Sequence, residues 1–321
     1  MPVAWISLAV GFWILAKSAD FFVDSSVGIA IRFRIPRLVI GIVLVSLATT
    51  APELTVSLLA SIKGHPEIAL GNAVGSVICD DTLALGLCAV LAPAAIPVIP
   101  RVLKMAGIFL FSVAVLLTVF VAHNGMLTRI EGIILLALFA GYIAFIYRDH
   151  KTGKYEMHVE AEISEKAVEK STAALAGLFL VSLVMLIFAS DVVVSSATFI
   201  ARGIGISEAV IALTLVALGT SIPEIATCIT AARKNEGALA IGNILGADIM
   251  NICWVAGASA VANDLVLQPQ EINFMFPAML IVVSAMLIML RHRYTLTRRK
   301  GFVLLALYVL YIAGFAFFLK N

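Results

Sequence analysis

Two stretches of the sequence repeat one another at a constant offset of 171 residues, and each places a glutamate inside an apolar segment. The stretches are residues 44–86 and 215–257, and they match without a gap. Glu53 in the first corresponds to Glu224 in the second, each directly after a proline. Because a carboxylate within hydrocarbon is costly, an equivalent pair in a duplicated chain predicts a cation site between the two copies.

The composition places these segments in a membrane. Of the 321 residues, 62% are hydrophobic and 13% are charged, and the mean hydropathy is +1.07. The longest apolar stretches reach the ~20 residues that a helix needs to cross a bilayer. A membrane β-barrel would instead show short segments of alternating hydropathy. The net charge of +2 gives no indication of nucleic-acid binding. We therefore expect an all-α polytopic membrane protein.

The apolar pattern predicts ten spans. They are expected at about residues 3–30, 38–61, 67–92, 103–122, 128–147, 172–200, 208–232, 238–262, 272–290 and 301–319. The first segment lacks the basic region of a signal peptide, so it is interpreted as the first span. One polar linker separates five spans from five. The expected organisation is a first five-helix repeat at 1–147, a cytoplasmic linker at 148–171 and a second repeat at 172–321.

Lysine and arginine are distributed unevenly between the loops. The loops that follow spans 1, 3, 5, 7 and 9 contain 17 of the 22. By the positive-inside rule these loops are cytoplasmic and both termini lie outside the cell membrane. Since each half has an odd number of spans, the second half must cross in the opposite sense. This arrangement is an inverted repeat, which is common among secondary transporters.

Oxygen-bearing side chains surround both glutamates. Proline breaks a helix because it removes a backbone donor, and small hydroxyl residues precede it in both copies. These residues are Thr49, Thr50, Thr220 and Ser221. Hard cations bind such a mixture of carboxylate, hydroxyl and carbonyl oxygens. A proline kink with a hydrogen-bonded glutamate would explain one such element, but the presence of two equivalent copies favours a binding site.

The segments GNAVGSVICDD and GNILGADIMN carry further polar residues on one helical face, because these recur at every fourth position. The face contains Asn72, Ser76 and Asp80 in the first copy and Asn243, Ala247 and Asn251 in the second. Glycines at 71, 75, 242 and 246 indicate close helix packing, which does not account for Asp80. Two further acids, Asp81 and Asp248, lie off this face. They are either partners of other helices or proton carriers.

These motifs resemble a known family. GTSIPEIATCITAARK followed by GNILGADIMN is similar to the second α-repeat of the calcium:cation antiporter superfamily, and LATTAPELTVS with GNAVGS is similar to its first. The layout is similar to that of the compact prokaryotic sodium/calcium exchangers. The resemblance implies a secondary antiporter that exchanges Ca²⁺ for Na⁺ by alternating access at a mid-membrane carboxylate cluster. It implies no cofactor and no enzymatic activity, and it leaves H⁺/Ca²⁺ exchange as the alternative.

The resemblance also implies roles for individual residues. Glu53 and Glu224 would be central carboxylates that Ca²⁺ and Na⁺ share, and Ser76 would bind Na⁺. Asp80 and Asn251 would complete the middle layer, and two backbone carbonyls would contribute. The full set of expected ion ligands is Glu53, Glu224, Asp80, Asn251, Thr49, Thr50, Thr220, Ser221, Ser76, Ser46, Ala217, Asn72 and Asn243. Spans 1 and 6 would slide against the rest to gate access.

The sequence departs from the family pattern in ways that bear on the counter-ion. Relatives typically have Asn in the first copy and Asp in the second, whereas here the order is Asp80 and then Asn251. Relatives often have Ser where Ala247 stands, so a stoichiometry of three sodium ions is in doubt. The GN-x-x-E-type motif of the proton-coupled branch is absent, which favours sodium.

Other functions fit less well. An intramembrane aspartyl enzyme would use Asp80 with Asp248, but the repeat equivalent of Asp80 is Asn251. No GxxxxGK[ST] motif occurs, which argues against ATP-driven pumping. Deep carboxylates beside a duplicated helix break fit an occluding site better than the open pore of a channel.

Overall fold

The protein is almost entirely helical. The computed structural model describes residues 2–33, 35, 37–151, 171–203 and 217–318. The helices of the first half are α1 (Pro2–Arg32), α2 (Arg37–Ile40), α3 (Ser46–Thr49), α4 (Ala51–Ile62), α5 (Pro66–Cys79), α6 (Leu85–Leu91), α7 (Pro100–Asn124) and α8 (Arg129–Lys151). Those of the second half are α9 (Thr172–Gly203), α10 (Ala217–Thr220), α11 (Ile222–Arg233), α12 (Gly237–Met250), α13 (Ala256–Ala262), α14 (Pro269–Arg291) and α15 (Arg298–Phe318).

These helices follow the predicted spans. Among the described residues, seven helical stretches are long and apolar enough to cross a membrane, and the bent pair Gly41–Thr49 and Ala51–Ile62 makes an eighth. The 21 residues of α15 coincide with the predicted tenth span. The predicted seventh span begins outside the described residues and continues as α10 and α11. The first four residues of the predicted linker extend α8, and most of the remainder lies outside the described part.

Among the described residues, three π-helical turns widen the inner helices. They lie at Gly41–Val45, between α2 and α3, at Asp80–Ala84, between α5 and α6, and at Asn251–Val255, between α12 and α13. The last two begin at repeat-equivalent residues, so the duplication extends to an irregularity of the backbone. A π-turn inserts one residue into a helix and is frequent at functional sites.

In the described part of the chain, two short antiparallel ladders connect the halves. Strand β1 (Ile96–Pro97) pairs with β4 (Thr295–Leu296), and β2 (Met126–Leu127) pairs with β3 (Leu265–Val266). Each ladder therefore contains one strand from each half of the chain. The short strands, two residues each, were not predicted from the sequence.

The helices that carry the expected ligands are innermost. In the most apolar 18-residue stretches of Pro66–Leu91 and Gly237–Ala262, 78% and 83% of the residues are buried, against 33% and 28% in α1 and in Thr172–Ser196. Helices α1 and α9 pack against each other along the edge of this core.

One glycine shows why the core is tightly packed. A Cβ at Gly246 of α12 would overlap the carbonyl oxygen of Ile42 and the hydroxyl of Ser46. Only a residue without a side chain lets α12 approach the π-turn at Gly41–Val45 so closely. The predicted close packing is thus confirmed at this position.

Candidate functional site

The site is built around two helix breaks with the same backbone conformation. Thr50, between α3 and α4, has φ −81° and ψ 0°, and its repeat equivalent Ser221, between α10 and α11, has φ −82° and ψ 1°. Both lie in the sparsely populated region between helix and strand where many functional residues are found. A proline occupies the first turn of α4 and of α11, and the first break bends the helix by 50°.

The two glutamates follow these breaks. Glu53 and Glu224 lie in the first turns of α4 and α11, and each is only 1% exposed. The N-terminus of a helix carries a partial positive charge that stabilises a carboxylate there. Thr50 donates a hydrogen bond through Oγ1 to Glu224 Oε1 at 3.4 Å. Both carboxylate oxygens of Glu53, and Glu224 Oε2, have no hydrogen-bond partner among the described residues.

Two equivalent hydrogen bonds cross between the repeats. Thr49 Oγ1 donates to Asn243 Oδ1 at 3.3 Å, and Thr220 Oγ1 donates to Asn72 Oδ1 at 3.1 Å. The break in each repeat is therefore connected to the inner helix of the other. The predicted hydroxyl and amide ligands meet at the interface between the two halves.

The two asparagines differ in their remaining contacts. Asn72 donates through Nδ2 to Ser57 Oγ at 2.9 Å and to the Glu53 carbonyl at 3.3 Å. In the second copy Cys228 occupies the position of Ser57, and Asn243 Nδ2 has no hydrogen-bond partner in the described part of the chain. Because sulfur is a weak acceptor, Asn243 is held less firmly than Asn72. This difference could have been predicted from the sequence, because Cys228 replaces Ser57 at the equivalent position of the second repeat.

Asp80 and Asn251 occupy equivalent positions at the first residues of two π-turns, and they are 0% and 1% exposed. Asp80 is close enough to Glu224 for a direct electrostatic interaction, and the Ser221 hydroxyl lies beside it. Within the described residues, the carboxylate of Asp80, the Oδ1 of Asn251 and the hydroxyl of Ser76 lack hydrogen-bond partners. These oxygens are therefore available to a ligand.

The two remaining predicted ligands, Ser46 and Ala217, are expected to contribute backbone carbonyls. The Ser46 carbonyl accepts the Thr50 amide at 2.8 Å and the Thr49 hydroxyl at 3.5 Å, and the Ser46 hydroxyl donates to the Ile42 carbonyl. Ala217 is the first residue of α10, and its side chain lies outside the described atoms.

A second pair of acids lies next to this cluster. The carboxyl groups of Asp81 and Asp248 lie close enough to interact electrostatically, and both residues are fully buried. The two are not repeat equivalents, since Asp81 corresponds to Ile252 and Asp248 to Val77. Both acids were noted in the sequence, but their contact was not predicted, because it depends on how α12 packs against the π-turn at Asp80–Ala84.

The buried interior contains acids without matching cations. Its five carboxyl-bearing side chains are Glu53, Asp80, Asp81, Glu224 and Asp248, and no Lys, Arg or His is buried among the described residues. Uncompensated buried charge is costly, so positive charge must come from bound ions or protons. No three or more His, Cys, Asp or Glu side chains form a ready metal site in the described ranges. A cation held here would therefore also take hydroxyl, amide and carbonyl oxygens.

An ion pair joins α1 to the core at one end of the molecule. Lys234, directly after α11, lies 2.7 Å from Asp24 Oδ1 and 3.5 Å from Asp20 Oδ1, and it donates to the Asp20 carbonyl at 2.9 Å. This ion pair was not predicted from the sequence, because 210 residues separate Lys234 from Asp24.

Comparison with known proteins identifies relatives of this arrangement. The family model described as "Sodium/calcium exchanger protein" matches residues 3–148 and 174–317. An uncharacterized membrane protein of Methanocaldococcus jannaschii is 32% identical, with 96% of this chain and 98% of that protein covered. The sodium/calcium exchanger MaX1 of Methanosarcina acetivorans is 29% identical, with 97% and 98% covered.

Solved structures of the sodium-calcium exchanger NCX_Mj have the same fold. One of them, soaked with Na⁺ and Sr²⁺, superimposes with a TM-score of 0.82 at 28% identity, covering 98% of this chain and 99% of that one. Together with the two blocks of the family match, this confirms the predicted all-α fold of ten transmembrane helices in two inverted five-helix repeats.

Proposed function

This chain belongs to the sodium/calcium exchanger family, and we propose that Na⁺ is the ion it exchanges for Ca²⁺, by alternating access at the cluster of Glu53, Glu224 and Asp80. As a member of this family it is a membrane transporter that exchanges Ca²⁺ for another cation, and it is not an enzyme. The proposal concerns the counter-ion and the residues that bind it.

The observation that supports the proposal is the set of buried acids without buried cations. Three carboxylates lie among hydroxyl and amide oxygens, of which those of Ser76, Ser221 and Asn251 have no partner in the described part of the chain. Ca²⁺ takes six to eight oxygen ligands, including carboxylates and carbonyls, and such a mixed set supplies them. Thr49 and Thr220 form hydrogen bonds across the repeats, so these oxygen atoms lie at the boundary between the two halves. Alternating access requires the ion site to lie at this boundary.

Shared carboxylates give a physical route to exchange. With Glu53, Glu224 and Asp80 ionised, the cluster carries a charge of about −3, which three Na⁺ neutralise and one Ca²⁺ reduces to about −1. One Ca²⁺ together with two or more Na⁺ would leave an excess of positive charge in a poorly solvated interior. Each ion therefore displaces the other, and the protein changes its access only when one of them has filled the site.

Proton coupling is the second candidate, and the contact between Asp81 and Asp248 favours it. Two facing carboxyl groups that have no other partner among the described residues accommodate one proton well. Against it stands the absence of the acidic GN-x-x-E motif of the proton-coupled branch. Sodium therefore remains our proposal.

We further propose that the protein resides in the cell membrane with both termini outside and with the linker at 148–171 in the cytoplasm. The distribution of Lys and Arg supports this orientation. The two repeats would then be residues 1–147 and 172–321, which cross the membrane in opposite senses.

The test is ⁴⁵Ca²⁺ uptake into liposomes that contain the purified full-length protein. Vesicles loaded with Na⁺ and diluted into Na⁺-free buffer should accumulate ⁴⁵Ca²⁺, and collapse of the gradient with a sodium ionophore should stop uptake. A pH gradient alone should give no uptake. Uptake that follows the pH gradient in Na⁺-free buffer, and is lost in Asp81→Asn, would replace sodium with protons as the counter-ion.

A further inference from the structure

Two grooves run along α7 on either side of the same outward-facing stripe. The first, of about 680 Å³, lies between α7 and α14, and the second, of about 510 Å³, lies between α7 and α8. Both grooves are lined by Arg101, Lys104, Ile108 and Ser112 of α7, so this helix separates two grooves of similar size.

The shared mouth of the grooves is strongly basic. Arg101 and Lys104 border both grooves, and Arg291 at the end of α14 borders the first. The β1–β4 ladder holds the surrounding segments, 92–106 and 287–302, together. These segments contain seven Lys and Arg and no Asp or Glu. Charge of one sign at a groove mouth selects an anionic ligand.

One cation at this end has a structural role instead. Lys300 donates to the carbonyls of Met289, His292 and Thr295 at 2.6, 2.6 and 2.5 Å. It thereby satisfies carbonyls at the C-terminal end of α14. Because its three donors are used in this way, the ligand-binding charge comes from the residues that line the grooves.

Below the mouth the grooves are apolar and open. Ile108 is 59% exposed, Phe111 42% and Phe145 50%. Phe109 and Tyr142, stacked with ring centroids 4.3 Å apart, form part of the second groove's wall. Within a bilayer, exposed apolar side chains of this kind contact acyl chains.

The length of the grooves matches one leaflet of a bilayer. From Arg101 to Ser112 the helix rises by about 16 Å at 1.5 Å per residue. Half of a typical hydrocarbon core is about 15 Å. Each groove therefore extends from the headgroup level to about the middle of the membrane, which is the depth of an acyl chain.

We propose that a two-chain anionic phospholipid straddles α7. Arg101, Lys104 and Arg291 bind its phosphate, and one acyl chain lies in each groove. Basic pockets between transmembrane helices at the cytoplasmic side are a known form of anionic-lipid recognition, and the positive-inside rule places this end there. This inference is independent of which ion the protein exchanges.

Native mass spectrometry of the full-length protein tests the proposal, with phosphatidylglycerol and phosphatidylcholine added in turn. We expect phosphatidylglycerol to bind more tightly, and Lys104→Gln to weaken its binding about fivefold, the contribution of one cation near an anionic headgroup. Arg299→Gln is the matched control, because Arg299 is exposed at the same end and does not line either groove. Equal binding of the two lipids, or equal loss in the two variants, would overturn the proposal.

A second variant tests the acyl chains. Ile108→Trp fills part of both grooves and leaves every cation in place, so phosphatidylglycerol binding should fall while the melting temperature in detergent stays unchanged. Retention of phosphatidylglycerol by Ile108→Trp would contradict the placement of the chains. Competition by glycerol 3-phosphate as strong as that by the lipid would likewise contradict it, since the phosphate alone would then suffice.

Discussion

Thr220 donates a hydrogen bond from Oγ1 to Asn72 Oδ1 at 3.1 Å, and so joins the helix break of the second repeat to the inner helix of the first. The equivalent contact from Thr49 to Asn243 joins them in the other direction. The oxygens of the proposed ion site therefore come from both halves of the chain. A change in one repeat should alter ion binding by ligands of the other.

Glu53→Gln and Glu224→Gln should each abolish Ca²⁺ exchange without loss of folded protein. Each substitution removes a charge that the divalent ion needs and that water cannot replace in the buried site. ⁴⁵Ca²⁺ flux into liposomes measures the effect. Glu67→Gln, at the exposed start of α5, should transport normally. Wild-type rate and affinity in either buried variant would contradict the assignment.

Asp80→Asn should weaken Ca²⁺ binding far more than Asn251→Ala, because Asp80 is the acid of this pair and its equivalent is neutral. The double variant Asp80→Asn with Asn251→Asp should recover much of the exchange, since both residues open a π-turn at equivalent places. Isothermal titration with Ca²⁺ measures the binding. Equal damage from the single variants, with no recovery in the double variant, would show that the two positions do not share a layer of the site.

Ala247→Ser should tighten Na⁺ binding or raise the number of Na⁺ ions per cycle. The residue is fully buried, and its repeat equivalent Ser76 has a hydroxyl without a partner in the described residues. An added hydroxyl supplies a neutral oxygen to a hard cation. The measurement is Na⁺ titration of Ca²⁺ release, in which an unchanged midpoint and Hill slope would count against this role.

Asp81→Asn should raise the melting temperature, because it replaces one of two facing carboxyl groups with an amide that donates to Asp248. A hydrogen bond to a charged group contributes about 1.5–3 kcal/mol, which corresponds to a shift of several degrees in a chain of this size. Thermal unfolding in detergent without Ca²⁺ or Na⁺ measures it. Asp191→Asn, at an exposed position of α9, should leave the temperature unchanged. A lower melting temperature for Asp81→Asn would contradict this prediction, because it would show that both carboxyl groups stabilise the folded protein.

Lys234→Gln should alter the transport rate modestly, by no more than about fivefold, since exposed ion pairs contribute at most about 1 kcal/mol. Lys234 is 29% exposed and Asp24 58% exposed, so solvent screens their contact. The pair joins α1 to the end of α11, and its loss should favour movement of α1. Lys63→Gln, at the repeat-equivalent position, is the control. A complete loss of transport in Lys234→Gln would assign this residue a role beyond the ion pair.

Much of this architecture was predictable because it depends on local sequence. Span positions follow from runs of apolar residues, and the breaks at Thr50 and Ser221 follow from the prolines two residues later. The polar face from Asn72 to Asp80 follows from a spacing of four. The opposite orientation of the two halves in the membrane follows from the odd number of spans in each repeat.

The remaining features depend on tertiary packing. No residue pattern in the sequence marks the π-turn at Asp80. The turn arises where the helix accommodates an extra residue against neighbouring helices. The contact between Asp81 and Asp248 joins residues that the repeat does not relate, so pseudo-symmetry could not predict it. The ion pair of Lys234 with Asp24 depends on how two distant helices are placed side by side.

The two β-ladders determine which parts of the molecule can move. Since β1–β4 and β2–β3 each join a loop of one half to a loop of the other, a rocking motion between the halves would have to break both of them. Helices α1 and α9 contribute no strand to either ladder. The ladders are therefore consistent with the expected gating, in which α1 and α9 would slide along a core whose two halves are joined at both ladders.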